Sequence, residues 1–214
     1  MNTHIEGLTN SRPSPWQRCL SIPLQRISRD IFVTDERRIL YARPEEIRYR
    51  EPVHEITVRI ATSGDWEKLY RMRPVLKKLF VRLRKNHLPV IIAVFRNTII
   101  GHSCVEFQPE YPFYRFIALR PAEAWSHDSY ILPFFRGKGI LSMMYACKAE
   151  LLTNWGIRKV YVDVPAGNLS SILAHEKLGF KEINRMIYTK FFFCEQLRFT
   201  FPRGDHFPWE LKTG

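Results

Sequence analysis

FFRGKGI, Phe134 to Ile140, is the stretch on which the fold turns. An apolar segment, SYILP, ends just before it, and LSMMYACKAELLTNW, which reads as a helix, follows at once. Glycine is costly inside a helix and cations are unfavourable at its N-terminus, so two glycines, an arginine and a lysine at a helix start break two local rules together. Anion binding is the physical compensation. Glycines let the main chain approach closely, successive N–H groups converge on a ligand, and the helix dipole favours negative charge. Arg136 and Lys138 add charge-assisted contacts to phosphate. The P-loop spacing G-x-x-x-x-G-K-S/T is absent, and the dinucleotide fingerprint fails because Ser142 stands where its third glycine belongs. Taken alone, RGKG reads equally well as a solvated basic turn.

The 214-residue chain is long enough for one domain with a sizeable core. Its formal net charge of +12 favours anionic partners: nucleic acid, an acidic carrier protein, lipid headgroups or a phosphorylated cofactor. The basic residues are spread along the chain rather than gathered in one tail, which argues against a dedicated nucleic-acid arm. No apolar run reaches the roughly 18 residues of a membrane span, and the first residues lack the apolar core of a signal peptide, so a cytoplasmic location is expected. Cys19, Cys104, Cys147 and Cys194 are scattered without C-x-x-C or Cys/His ligand spacing, so reduced thiols are expected and no metal site.

Along the chain, residues 1–55 read as a Pro- and Arg-containing N-terminal extension, in which IFVT and RRILYA suggest a short hairpin around Asp35 and Glu36. EITVRIAT alternates as a strand with Ile56, Val58 and Ile60 on one face. Thr62 and Asp65 have capping-box spacing, and Pro74 divides or kinks the helical pattern that follows. PVIIAVF and TIIGHSCVEF read as strands joined at Arg96-Asn97. FYRFIAL suggests an extra strand, and HDSYILP a strand ending at Pro133. Ile140, Met144, Cys147, Leu151 and Trp155 form one stripe of the next helix, which stops at Gly156. RKVYVDV (strand), Asn168 to Gly179 (helix), FKEI and MIYTKFFF (strands) come next; residues 194–214 read as a C-terminal tail packed on the domain, its final stretch FPRGDHFPWELKTG mostly turn-like. The order predicts a mixed α/β fold around one central sheet.

PFFRGKGI, its helix, the strand RKVYVDV and then NLSSILAHEKLGF together resemble the GNAT N-acetyltransferase superfamily over residues 56–193. In that family a Q/R-x-x-G-x-G/A turn binds the pyrophosphate of acetyl-CoA. Arg136 and Gly139 match it, while Leu141 stands at its last position. A later N-x-x-S/A segment ending in a Gly-Phe pair lies beside the pantetheine arm, and Asn168, Ser171, Gly179 and Phe180 match it. The resemblance implies a GNAT-like mixed sheet flanked by helices and splayed at the acyl-CoA site. It also implies acetyl-CoA as acyl-donor co-substrate, held by Tyr130, Ile131, Leu132, Arg136, Gly137, Lys138, Gly139, Ile140, Leu141, Asn168 and Ser171.

The implied reaction is direct attack of a primary amine on the thioester. The amine must lose a proton, the oxyanion needs N–H donors, and the leaving thiolate needs a proton. In many members a tyrosine seven residues after the second motif's Asn protonates the thiolate; His175 stands there, with Tyr188 as an alternative. Asp128 and Glu106 are the candidate bases, and strand alternation predicts that His127 faces away from Asp128. GHSCV, Gly101 to Val105, comes within one residue of a G-x-S-x-G elbow but lies inside a strand, so Ser103 is not expected to be a hydrolase nucleophile. EYPFYRF, Trp125 and Trp66 are candidates for an aromatic acceptor pocket. The acceptor, a small-molecule or protein amine, stays open, the net charge favouring an anionic one. A longer acyl chain or carrier-bound donor, and a non-catalytic acyl-CoA-binding module, stay open too. An edge near Phe191 to Phe193 offers a surface for a homodimer.

Overall fold

The computed structural model describes residues 32–49, 55–107, 117–191, 194–200 and 210–211. The first 31 residues of the expected extension, all of EYPFYRF and Phe192-Phe193 therefore lie outside the described residues.

Among the described residues ten strands and four α-helices follow one another as β1 (Phe32–Ala42), β2 (Ile56–Ile60), α1 (Trp66–Met72), α2 (Lys77–Lys85), β3 (Val90–Phe95), β4 (Thr98–Glu106), β5 (Ile117–Ala118), β6 (Glu123–Ile131), α3 (Ile140–Asn154), β7 (Lys159–Pro165), α4 (Leu169–Lys177), β8 (Lys181–Phe191), β9 (Cys194–Thr200) and β10 (Glu210–Leu211). Eight strands form one sheet in the order β2-β3-β4-β6-β7-β1-β8-β9, and β10 pairs with β5 separately.

Local chemistry accounts for the first half. The Thr62/Asp65 capping box forms as its spacing predicts, with the Thr62 N–H donating to Asp65 over 2.7 Å. Arg59 from β2 grips the same carboxylate at 2.6 and 3.0 Å and holds it well below the usual carboxylate range. Pro74 divides α1 from α2 by opening a separate 3-10 turn, Pro74–Leu76. Arg96 and Asn97 both take positive φ, 46° and 64°, as a tight hairpin turn between β3 and β4 requires. One apolar cluster, Trp66, Leu69, Phe80, Leu83, Val90 and Ile92, seals α1 and α2 onto one face. Ile91, Ala93, Ile100, Ile140 and Met144 lie under α3, and Tyr145, Leu152, Val162, Ile172 and Phe180 extend that side to α4.

Two expectations fail here. Asp35 and Glu36 are not a hairpin turn, because IFVT and RRILYA lie in one continuous strand. That strand, β1, inserts antiparallel between β7 (Arg37↔Pro165 to Ala42↔Val160) and β8 (Phe32↔Phe191 to Tyr41↔Lys181). Hydrogen-bonding neighbours on both sides outweigh the turn preference of two acidic residues. The segment read as lying ahead of the domain thus supplies a strand to the middle of its sheet. FKEI and MIYTKFFF likewise merge into β8, whose outer side is covered by β9 over Arg185↔Thr200 to Phe191↔Cys194, so Phe191 is not at a free edge.

Candidate active site

The crevice is made by what β6 and β7 do not share. They pair in parallel only over Glu123↔Lys159 to Ser126↔Val162. Beyond Ser126, β6 runs on beside β4 while β7 continues paired to β1 alone, and the two strands part. A β-bulge marks the parting: the β4 register shifts between His102 and Cys104, and opposite it Asp128 takes φ 48°.

β6 then leads into the glycine turn. Pro133–Phe135 form a 3-10 turn, and Gly137 and Gly139 take φ 75° and 77°, with Gly139 as the N-cap of α3. A Cβ at either glycine would meet nothing within 4 Å. The left-handed backbone is therefore what calls for glycine, and the space beside it is open. The first N–H groups of α3 have no acceptor within the helix and face this space by helix geometry. Gly139 is capped by no side chain. Arg136 and Lys138 are exposed, and Arg136 Nε donates to the Ile131 carbonyl at 3.0 Å. Lys138 lies over Phe134 and Phe135, 4.8 and 5.4 Å from the ring centres. Ile140 is buried beneath the helix, and Leu141 packs against the core, so its side chain is directed away from the cradle. Of the main-chain groups expected to line the crevice, the Leu132 N–H is taken by Ile100 of β4 at 2.8 Å. Tyr130 pairs with His102, and its ring lies beneath the Arg73 guanidinium at 4.2 Å.

The bulge also rearranges the acid–base candidates. Alternation predicts that His127 and Asp128 face apart, yet His127 Nδ1 lies 2.8 Å from Asp128 Oδ2. A positive φ at Asp128 breaks the alternation, and this corrects the sequence expectation. His127 Nε2 lies 2.7 Å from Glu106 Oε1, which also accepts from Arg82 at 2.7 Å. Burial opposes the charging of His127, but its hydrogen bonds to Asp128 and Glu106 and their charges prevail and raise its pKa above the ordinary value. Glu106 is fully buried, while Asp128 is half-buried at the crevice end of the row. The two carboxylates picked separately from the sequence are therefore the ends of one carboxylate–imidazole–carboxylate array.

His175 sits in α4 with both ring nitrogens engaged. Nδ1 lies 2.7 Å from the Ser171 carbonyl, so it carries the proton and donates it; Nε2 accepts from Tyr145 Oη at 3.0 Å. Burial pushes its pKa down to about 4, so it is neutral at pH 7. The Asn168 side chain accepts from the Ser171 N–H at 3.2 Å and caps α4. Tyr188 lies on β8, separated from β7 by β1, and is not brought to the crevice.

Sequence reasoning missed Lys148. This residue of α3 is fully buried and donates to Ser103 Oγ and Ser126 Oγ, both at 2.6 Å. Ser103 Oγ lies 2.6 Å from Ser129 Oγ, and Ser126 Oγ lies 3.0 Å from Tyr145 Oη. Ser103 itself is buried within β4, and no strand-to-helix elbow presents it. The signal was present: Tyr145, Lys148 and Leu152 recur at helical spacing beside the apolar stripe, so a lysine there must face the sheet. Among the described residues no cluster of His, Cys, Asp and Glu suits a metal ion, and no helix is long and apolar enough to cross a membrane.

The family model for the acetyltransferase (GNAT) family matches residues 51–180, well over half of the chain. The chain belongs to the GNAT family. Its members are acyltransferases, and this chain is by that membership an N-acyltransferase. An aminoglycoside N(6')-acetyltransferase type 1 from Salmonella typhimurium is 27% identical over 106 residues, 50% of this chain and 71% of that protein. Among solved structures, the CoA complex of aminoglycoside N-acetyltransferase AAC(6')-Iy has a TM-score of 0.50 at 24% identity, covering 59% of this chain and 92% of that one. A Drosophila protein has a TM-score of 0.55 at 12% identity, over 82% of this chain and 57% of that chain. These likenesses show the GNAT fold, its mixed sheet and flanking helices.

Proposed function

We propose that this GNAT chain transfers an acetyl group from acetyl-CoA to a primary amine by direct attack. One observation carries the reading: the divergence of β6 from β7 opens directly into a left-handed glycine turn at the N-terminus of α3. A linear thioester fits along the open side of β6, with its pyrophosphate over Gly137, Gly139 and the first N–H groups of α3. Arg136 and Lys138 supply charge there. Beside the same strand, the half-buried Asp128 takes the amine's proton and His127 shares it with Glu106. Attack then forms the C–N bond and breaks the C–S bond, while the protein holds the two reactants at contact distance.

The acceptor is read as an amino sugar. The aminoglycoside acetyltransferase relative supports that class, and the half-buried Asp128 carboxylate, backed by the buried Glu106, suits an ammonium group that must approach before losing its proton. A cytoplasmic location and a homodimer belong to the same reading.

The test is thermal stability with saturating acetyl-CoA or CoA. A ligand at about 100 times its dissociation constant adds roughly 2.7 kcal/mol of apparent stability. Wild type should show the corresponding rise in Tm, and Gly139→Asp, which puts a carboxylate into the cradle, should remain folded and lose it. No rise with either ligand would remove the cofactor assignment. In a following screen of amines, Asp128→Asn should lower kcat by about 100-fold or more with little change in the KM for acetyl-CoA. CoA binding without turnover of any amine would favour the non-catalytic acyl-CoA module, to which the engaged ring nitrogens of His175 lend some weight.

A further inference from the structure

Among the described residues no carboxylate pairs with Lys148, and that makes it unusual. A buried cation is normally paired, since an isolated charge in a low-dielectric interior is expensive. Here the ammonium donates to two serine hydroxyls, one on β4 and one on β6. The groups packed around it supply no counter-charge. Cys104 on β4 and Cys147 on α3 are thiols whose pKa values burial pushes up, so they are neutral at pH 7. Tyr145 on α3 is pushed up to about 12, and His175 on α4 is neutral. Asp163 on β7 accepts from Trp125 at 2.6 Å and pairs with Arg37. Glu106 and Asp128 are joined to His127.

The direction of the hydrogen bonds gives this lysine a task. Both serine oxygens accept from Lys148, so each serine has its own O–H left to give. Ser126 donates to Tyr145 Oη, Tyr145 donates to His175 Nε2, and His175 Nδ1–H ends the branch on the Ser171 carbonyl. On the other branch Ser103 Oγ lies 2.6 Å from Ser129 Oγ; with the Ser129 proton given to Tyr145, Ser103 is the donor of that bond. Ser129 is half-buried and lies on β6 past Ser126, the last residue paired to β7. The first branch is closed inside the protein. The second reaches the crevice at Ser129, whose own hydroxyl rests on Tyr145 and turns from it to an incoming acceptor.

We propose that Lys148 supplies, through Ser103 and Ser129, the proton taken by the CoA thiolate as it leaves. The inference rests on the acyl-transfer reading above and adds to it a general acid that enters from beneath α3. As the amine's C–N bond forms, the C–S electron pair moves onto sulfur. Sulfur takes the Ser129 Oγ proton, Ser129 takes that of Ser103, and Ser103 takes one from the Lys148 ammonium, which becomes a neutral amine. The proton given up by the substrate amine leaves through Asp128 to solvent, and a solvent proton recharges Lys148 after CoA departs. Burial lowers the Lys148 pKa to about 7, so the ammonium gives up its proton far more readily than an exposed lysine. The route also accounts for His175, whose nitrogens are engaged where the family resemblance implied an acid.

The test compares leaving groups. Ser129→Ala cuts the relay at its crevice end and leaves Lys148 in place; Lys148→Met removes the proton source with an apolar side chain of similar length. With acetyl-CoA as donor, each variant should lose about 100-fold in kcat while the KM for acetyl-CoA holds. With the acetyl thioester of 5-thio-2-nitrobenzoate, whose acidic thiol leaves without a proton, the variants should match wild type. The fall in wild-type kcat as pH rises above about 7 should be absent from both variants. Equal losses on both donors, or an unchanged alkaline limb in Ser129→Ala, would overturn the relay while leaving acyl transfer intact. A wild type that turns over neither donor would overturn the acyl-transfer reading, and the relay with it.

Discussion

At the residue scale the largest departures from ordinary protein chemistry lie in the interior. Lys148 has a pKa of about 7 in the folded chain against 10.5 in the unfolded one, because burial penalises its charged form. The unfolded state therefore binds more protons above pH 7, and this residue's contribution makes stability rise with pH by at most about 1.4 kcal/mol per unit. The usable window runs from pH 7 to about 8.5, below the region where the unfolded Cys104 thiol begins to ionise. His127 acts in the opposite sense, its raised pKa giving stability that is lost as pH rises through the folded value. Comparison of two proteins removes it: Lys148→Met should have a higher Tm at pH 7 by about 5 °C, an advantage that shrinks by pH 8.5 in chemical or thermal melts. A variant that is more stable yet slower would fit a residue kept for chemistry rather than for the fold. On the acid side, His102 and His175 both have pKa values near 4, so the stability each gives is present above pH 6.5 and is lost as pH falls toward 4.

At the scale of single elements, each feature answers to one local cause. The 3-10 turn ahead of α1 starts at Thr62, whose capping box satisfies donors on both sides. Thr62→Ala should cost about 1 kcal/mol and lower the Tm by a few degrees, without altering the glycine cradle on the far side of the sheet. Strand β6 owes its function to irregularity. One extra residue at Asp128 breaks its alternation, brings His127 and Asp128 together and leaves Ser129 beside Ser103. Helix α3 carries two assignments at once: its N-terminus opens on the crevice through Gly139, and its middle lowers Lys148 into the sheet. Its apolar stripe was readable by spacing, as were the Pro74 break and the Arg96-Asn97 turn.

At the scale of the whole molecule, β1 holds the two halves of the sheet together. It lies between β7 and β8, with Ile39 and Leu40 fully buried and Arg37 reaching Asp163 on β7. Removing it would expose two long unpaired strand edges in the middle of the sheet. A chain beginning at residue 44 should therefore aggregate or lose its cooperative melt. Leu40→Ala, which leaves the pairing intact, should cost about 2–5 kcal/mol in denaturant titration. A truncated chain that melts cooperatively at the wild-type temperature would show that β1 is dispensable.

The amino-acid order by itself determined what depends on neighbours within one element: the capping box at Thr62, the break at Pro74, the stripe of α3 and the glycine turn at Gly137 and Gly139. Those features, taken with Asn168, Ser171 and the Gly179-Phe180 pair, were enough to reach the GNAT fold and an acyl-CoA site. Tertiary structure alone decided the rest. Where β1 inserts depends on hydrogen bonds to strands more than a hundred residues away, which no local preference of Asp35 and Glu36 encodes. Whether His127 meets Asp128 depends on a bulge set by the register of β4 against β6. That Lys148 meets two serines rather than water depends on α3 closing over two strands. These are long-range pairings, and their energies exist only once the sheet has formed.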